Sequence, residues 1–282
     1  MSNDGVVTTM DSALTMAEFC SFALGPEGLI IAGGISIVHS IFKQNLSSHK
    51  KAISTSEILD KALVSELVAQ DLRNGLAAFK TTYDWFIEYY NSSWDKELDD
   101  SEELKNFKVN LNVSLGPNSP LTHFINLLEQ SHYQLAGFSL FLLAAGQHIV
   151  LLKIDLILRS SNKKVVEIPA LHILIDKLTE YINKANETIN KINQKVSDRK
   201  DKVTKVTSHN GQYSFLDQGE GVKGTEYKYS DKDSAKIARE AVLEKLEGQL
   251  NVQYYGGNPY KALKIIKEWE NTKQEYQEYM NS

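Results

Sequence analysis

The chain has 282 residues, of which 42% are hydrophobic and 24% charged, the balance of an ordinary globular protein with room for one large domain or two small ones. A net charge of −5 argues against a nucleic-acid binder, which carries a basic excess or patch. The single cysteine, Cys20, excludes a disulfide framework and a multi-cysteine zinc site, and reads as a small buried apolar residue.

The opening stretch, MSNDGVVTTMDSAL, has no basic region ahead of an apolar one and so does not read as a secretory signal. The expectation is synthesis as a soluble cytoplasmic protein, which would reach any target membrane by a non-standard route or by lysis. The four Asn-X-Ser/Thr sequons, at Asn45, Asn91, Asn112 and Asn186, then carry no meaning. Residues 1–12 are polar and expected to fray. Residues 13–24 read as a short helix ending at Gly25-Pro26, and Leu29–Gln44 as an apolar segment interrupted by Gly33-Gly34. From Thr55 to Tyr90 the pattern is helical, with Leu72, Leu76, Phe79, Tyr83, Phe86 and Tyr90 on one face.

An acidic link (Asp95, Glu97, Asp99, Asp100) precedes a helix whose apolar face is Leu104, Phe107, Leu111 and Leu115. The run Gly116-Pro117-Asn118-Ser119-Pro120 ends it, because proline lacks the amide that a continuing helix needs. Leu121, Phe124, Leu128 and His132 continue a second helical piece up to residues 135–158, LAGFSLFLLAAGQHIVLLKIDLIL, which form the most hydrophobic stretch of the chain. This stretch is apolar nearly all round, broken by Gln147, His148, Lys153 and Asp155, and such a helix is either enclosed by other helices or able to sit in a bilayer.

A polar turn at Asn162–Glu167, closed by Pro169, leads to a heptad-like run of Leu171, Leu174, Leu178, Ile182, Ala185, Ile189, Ile192 and Val196. It reads as an outer bundle helix rather than an intermolecular coiled coil. Residues 207–233 are rich in glycine and tyrosine and read as a long loop or a hairpin pairing Gln212–Phe215 with Glu226–Tyr229. Two helices, near 233–250 and 259–280, close the chain.

Local sequence offers no chemistry. There is no P-loop, no dinucleotide fingerprint, no HExxH and no Gly-X-Ser-X-Gly elbow, and the seven histidines are scattered. The expectation is therefore a non-enzyme with no catalytic residues, no cofactor and no metal. His148 reads as a core histidine bonded to a neighbouring helix, and Lys153 and Asp155 as members of an ion pair within or at the end of the bundle. In a membrane-competent helix the same residues would line a water path or pair across helices.

The segment Phe138–Lys153 resembles the central helix of the N-terminal, pore-forming domain of insecticidal crystal (Cry) delta-endotoxins. Ala144, Ala145, His148, Leu151, Leu152 and Lys153 match that pattern in register, with Ile154 where the family usually has Asp and Asp155 one place later. Leu29–Phe42, Leu72–Trp85, Glu102–Phe107 and Leu171–Val196 are similar to other elements of that domain in order, so the resemblance spans roughly residues 13–200. It implies an all-α fold: a bundle of about seven helices around the central apolar helix 135–158, occupying 1–206, with 207–282 as a C-terminal extension packed on it. It also implies insertion of a helical hairpin, 104–134 with 135–158, into a target membrane, and self-oligomerisation there into a cation-permeable pore.

Phe138, Leu140, Phe141, Leu142, Leu143, Ala144, Ala145, Ile149, Leu151 and Leu152 would face lipid, with His148, Lys153 and Asp155 as the polar residues of that helix. The implied partners are the target membrane and a protein or glycan receptor. Two features depart from the family: the Gly116–Pro120 break stands where it has a continuous helix, and residues 207–282 stand where its β domains follow. The rival expectation is a non-lytic interaction protein that keeps the fold and binds a partner through the 171–196 face or the tyrosine-rich C-terminus. An enzyme or carrier built in a helical core has no constellation to support it.

Overall fold

The computed structural model describes residues 102–131, 133–135, 137–160, 169–219, 224–255 and 259–281. The elements expected at 13–24, 29–44, 55–90 and 162–167 lie outside the described residues. Within them the order is α1 (Glu102–Leu115), α2 (Pro120–Leu128), α3 (Phe138–Ser160), α4 (Pro169–Asp201), β1 (Thr207–His209), β2 (Gln212–Asp217), β3 (Thr225–Tyr229), α5 (Lys232–Tyr255) and α6 (Pro259–Asn281). The architecture is mostly helical. One expectation is corrected: the fold is not all-α, because three strands pair into a sheet; of the expected bundle of about seven helices and its C-terminal extension, the described residues hold six helices, and the elements expected before residue 102 lie outside them.

The α1–α2 break falls where proline chemistry requires it. Gly116 N–H bonds back to Val113 carbonyl at 3.2 Å, tightening the last turn of α1, and Pro120 opens α2 where its missing amide costs nothing. Ser119 caps α2, its Oγ accepting from Thr122 N–H at 3.1 Å. The short α2 buries Leu121, Phe124, Ile125 and Leu128. It stops at Leu128, so the second helical piece is shorter than the sequence pattern implies. Backbone bonds from Gln130, Tyr133, Gln134 and Gly137 hold the described residues ahead of the central helix in turns, and that helix starts at Phe138 rather than Leu135.

Helix α4 buries the first seven of its expected heptad residues, Leu171 to Ile192, and leaves Val196 half-buried. That face packs within the chain, on α3, α5 and α6. One apolar core collects residues from α1 to α4 and also Tyr255, Ala262, Ile265, Ile266, Trp269 and Tyr276 from α5 and α6. Position 206 therefore does not divide the core.

The sheet has the order β1-β2-β3, antiparallel throughout. A two-residue turn at Asn210-Gly211 joins β1 to β2, both residues with positive φ (49° and 76°), the conformation Asn-Gly adopts most readily. Of the two expectations, loop or hairpin, the hairpin forms, with Tyr213 opposite Tyr229 and Phe215 opposite Tyr227; this is one residue off an end-to-end match of Gln212–Phe215 with Glu226–Tyr229, and β1 is added at its edge. Phe215 stacks on Tyr227 with ring centroids 4.8 Å apart. Two guanidinium bonds tie the sheet to the bundle: Arg199, near the end of α4, donates to both carboxylate oxygens of Asp217 at 2.8 and 2.9 Å. Arg199 holds the Asp217 carboxyl below its ordinary 3.8. A carboxyl depressed in the fold adds stability above its ordinary pKa and loses it as pH falls through the folded value. We expect Asp217→Asn to cost about 1–3 kcal/mol in urea unfolding and to speed amide exchange in β2; a variant with unchanged midpoint and exchange would show that the pair does not anchor the sheet.

Candidate functional site

Helix α3 is the element that no surface position can accommodate. Over Phe138–Leu156 it runs for 19 residues without a polar face, and 94% of that window is buried by the rest of the chain. At 1.5 Å per residue this is about 28 Å, close to the hydrocarbon thickness of a bilayer. Phe138, Leu140, Phe141, Leu142, Leu143, Ala144, Ala145, Ile149, Leu151 and Leu152 are all buried, and every other described helix packs on α3. Length and composition alone do not separate a spanning helix from the core helix of a soluble bundle, since both pass the same test.

The polar residues of α3 divide by depth. Ser139, Gln147, His148 and Lys153 are buried, and Lys153 is 1% exposed. Asp155 is half-buried at the helix end, where Arg159 donates to both its oxygens from one turn on and reaches Asn112 Oδ1 of α1 at 2.9 Å. His148 is buried against α4. Its Nδ1 is 2.6 Å from the Tyr181 hydroxyl of α4, and its Nε2 has no hydrogen-bond partner among the described residues.

Tyr181 is the hub of this contact. Its ring meets Phe141 edge-on at 5.9 Å, tilts against His148 at 5.9 Å and against Trp269 of α6 at 6.4 Å, and Lys177 Nζ lies 5.8 Å from its centroid. Three helices thus meet through Phe141, His148, Tyr181 and Trp269. Burial, assisted by the positive charge of Lys177, pulls His148 from its ordinary 6.5 down to about 4, so the ring is neutral at neutral pH. Burial, then Glu180 and Glu129, raises Tyr181 well above 10, so its hydroxyl stays protonated. A neutral imidazole and a neutral phenol can share one proton in the bond, which pairs Nδ1 with the Tyr181 hydroxyl and leaves Nε2 without a partner among the described residues.

A second tie sits at the start of the hairpin turn. Gln134 is buried, donates from Nε2 to Thr188 Oγ1 at 2.9 Å and accepts from Lys191 Nζ at 2.8 Å. Nearby in the chain, Glu129 is half-buried with one carboxylate oxygen unpartnered among the described residues. Burial and then the charge of Glu180 raise its carboxyl above 4.5. Glu129 is the one formal charge between Pro120 and Leu152, so the α2–turn–α3 segment is apolar or neutral apart from this residue.

The sequence placed His148 on the central helix but could not name Tyr181, Thr188 or Trp269 as the residues around it. A signal was present in α4: Leu174, Leu178, Tyr181, Ala185, Thr188 and Ile192 repeat at four, three, four, three, four beside the heptad stripe, marking a second buried face. Among the described residues no group of three or more His, Cys, Asp or Glu side chains is placed to hold a metal ion. No protein-family model, curated protein or solved structure matches the chain.

Tyr181→Phe removes the hydrogen-bond partner of His148 Nδ1 and should cost about 1–3 kcal/mol, with part of the loss recovered in the His148→Phe/Tyr181→Phe double variant. Urea unfolding of the cycle measures it, and a single variant within about 0.5 kcal/mol of wild type would contradict the contact. Ala145, fully buried, tests the packing: Ala145→Leu should cost about 1–3 kcal/mol by the same measurement.

Proposed function

We propose that this chain is a pore-forming or membrane-perturbing protein that stores a bilayer-length helix inside a helical bundle and inserts it, with α2 and the turn between them, into a target membrane. The observation that carries this reading is the pairing of length and neutrality in one continuous segment. Helix α3 provides a largely apolar span of 19 residues, and Glu129 is the one formal charge from Pro120 to Leu152. An α-helix satisfies its own backbone hydrogen bonds, so exchanging a protein environment for lipid leaves no unmet amide or carbonyl within it. The resemblance of Phe138–Lys153 to the central helix of the Cry pore-forming domain supports the same reading.

The inserted unit differs from a symmetric hairpin. Helix α2 has nine residues, about 13 Å, and cannot cross a bilayer alone. Insertion therefore uses α3 as the spanning element, with α2 penetrating partway or extending through the 129–137 turn. Self-association on the membrane would then bring the polar residues His148 and Lys153 of several α3 copies together, where they can line water or pair. A protein or glycan receptor would select the target.

The second reading is a non-lytic interaction bundle that never releases α3. The near-complete burial of α3 favours it, because a permanent core helix is buried in the same way. A reversible tether separates the two. With Cys20→Ser, Gln134→Cys and Thr188→Cys, a cleavable bis-maleimide linker would hold the α2–α3 turn against α4. The proposed function predicts dye release from liposomes by the unlinked protein, loss of release on linking and recovery on cleavage. Equal release by linked and unlinked protein, or none from either, would contradict it.

A further inference from the structure

His148 occupies a position where a proton would act as a wedge. It faces Tyr181 across the α3–α4 contact, and Trp269 of α6 packs on the same Tyr181 ring. As a neutral ring its Nδ1 can accept the Tyr181 proton, and its Nε2 lacks a partner among the described residues without carrying a charge. As an imidazolium it would carry two N–H donors and a full charge. Nδ1–H could donate to Tyr181 Oη, but Nε2–H would have no acceptor among the described residues, and Trp269 Nε1 and Tyr276 Oη are themselves buried without partners there.

We propose that His148 is an acid-operated latch of the bundle, whose protonation separates α3 from α4 and α6 and frees the apolar helix. The latch concerns the bundle alone; its use in membrane insertion rests on the proposed function.

The groups around this contact come from every described helix. From α4 come Tyr181 and the cation of Lys177, whose like charge opposes an imidazolium, while Glu180 lies on the exposed side. From α6 come Trp269 and the buried hydroxyl of Tyr276. On α3 itself Lys153 is buried one turn further on and Asp155 is engaged by Arg159. From α5, Tyr255 packs on Phe138, ten residues away along α3. In α1, Lys105 and Lys108 are exposed, as is His123 of α2.

The sign follows from the positions of the two states. His148 titrates at about 4 in the closed bundle and at its ordinary 6.5 when exposed. Stability from keeping it neutral is whole above 6.5 and is lost progressively as pH falls toward about 4. Glu129 acts in the opposite sense. Its carboxyl is raised in the closed bundle, so its protonation in acid favours the closed form. Asp217, with its depressed carboxyl, also loses stability in acid, so the part due to His148 is the difference between wild type and a variant without the imidazole.

The test uses the full chain without membranes. Urea unfolding of wild type and His148→Gln, followed by ellipticity at neutral pH and at about pH 5, should show the wild-type folding constant falling by roughly ten- to thirtyfold more than that of the variant. Equal falls would overturn the latch. Should the variant fail to fold, the ring resonances of His148 in wild-type protein decide instead. The latch predicts a neutral ring throughout the pH range in which the bundle stays closed, and titration near the ordinary 6.5 in a closed bundle would overturn it. Dye release from phosphatidylcholine vesicles at the same two pH values separates the claims. Acid opening without release retains the latch and removes the membrane reading, whereas release that is equally acid-dependent in His148→Gln removes the latch.

Discussion

The burial demanded by α3 on all its sides governs the rest of the fold. A helix with one apolar stripe needs one partner; a helix without a polar face needs a sleeve. All five of the other described helices contribute to that sleeve, including α5 and α6 from beyond the sheet. Their amphipathic pattern follows from this duty: α4, with the heptad face turned inward, offers Lys, Glu, Gln and Asn to solvent. The small run Ala144-Ala145-Gly146 lowers the girth of α3 at mid-length, where every residue is buried.

Inside the sleeve, polar contacts give the packing its specific register. Apolar side chains of similar volume tolerate sliding and rotation of one helix against another, but a hydrogen bond between two buried groups does not. His148 with Tyr181, and Gln134 with Thr188 and Lys191, fix α3 and its leading turn against α4 at two separate places. Both ties join the proposed mobile segment to the longest helix of the bundle. Each is modest in net stability, so the segment is held in one position without being held irreversibly.

Much of this was legible in the sequence, and what was hidden has a physical reason. Gly116 and Pro120 announced the α1–α2 break, the continuous apolar run announced α3, and the three-four repeat announced α4, because each is a local pattern. The two strands of the hairpin were readable as segments, but their register, with Tyr213 opposite Tyr229, was not. The strand β1 was missed: three exposed residues carry no alternation of their own and pair only because Asn210-Gly211 folds them back. The start of α3 was placed at Leu135 rather than Phe138, since hydropathy does not register that Gln134 is drawn away to Thr188. The partner of His148 was hidden for the same reason as that of Asp217. Tyr181 lies 33 residues from His148, and Arg199 lies 18 from Asp217, so only the assembled fold joins them.

The central claim is that α3 exchanges a protein sleeve for lipid. The most direct measurement is protease digestion of the full-length chain after incubation with liposomes, followed by mass spectrometry of the peptides retained in the washed vesicles. The account predicts a protected fragment that contains Phe138–Leu156 and reaches back through the 129–137 turn. Vesicles that retain no peptide from this region, or retain only segments from α4 to α6, would contradict it.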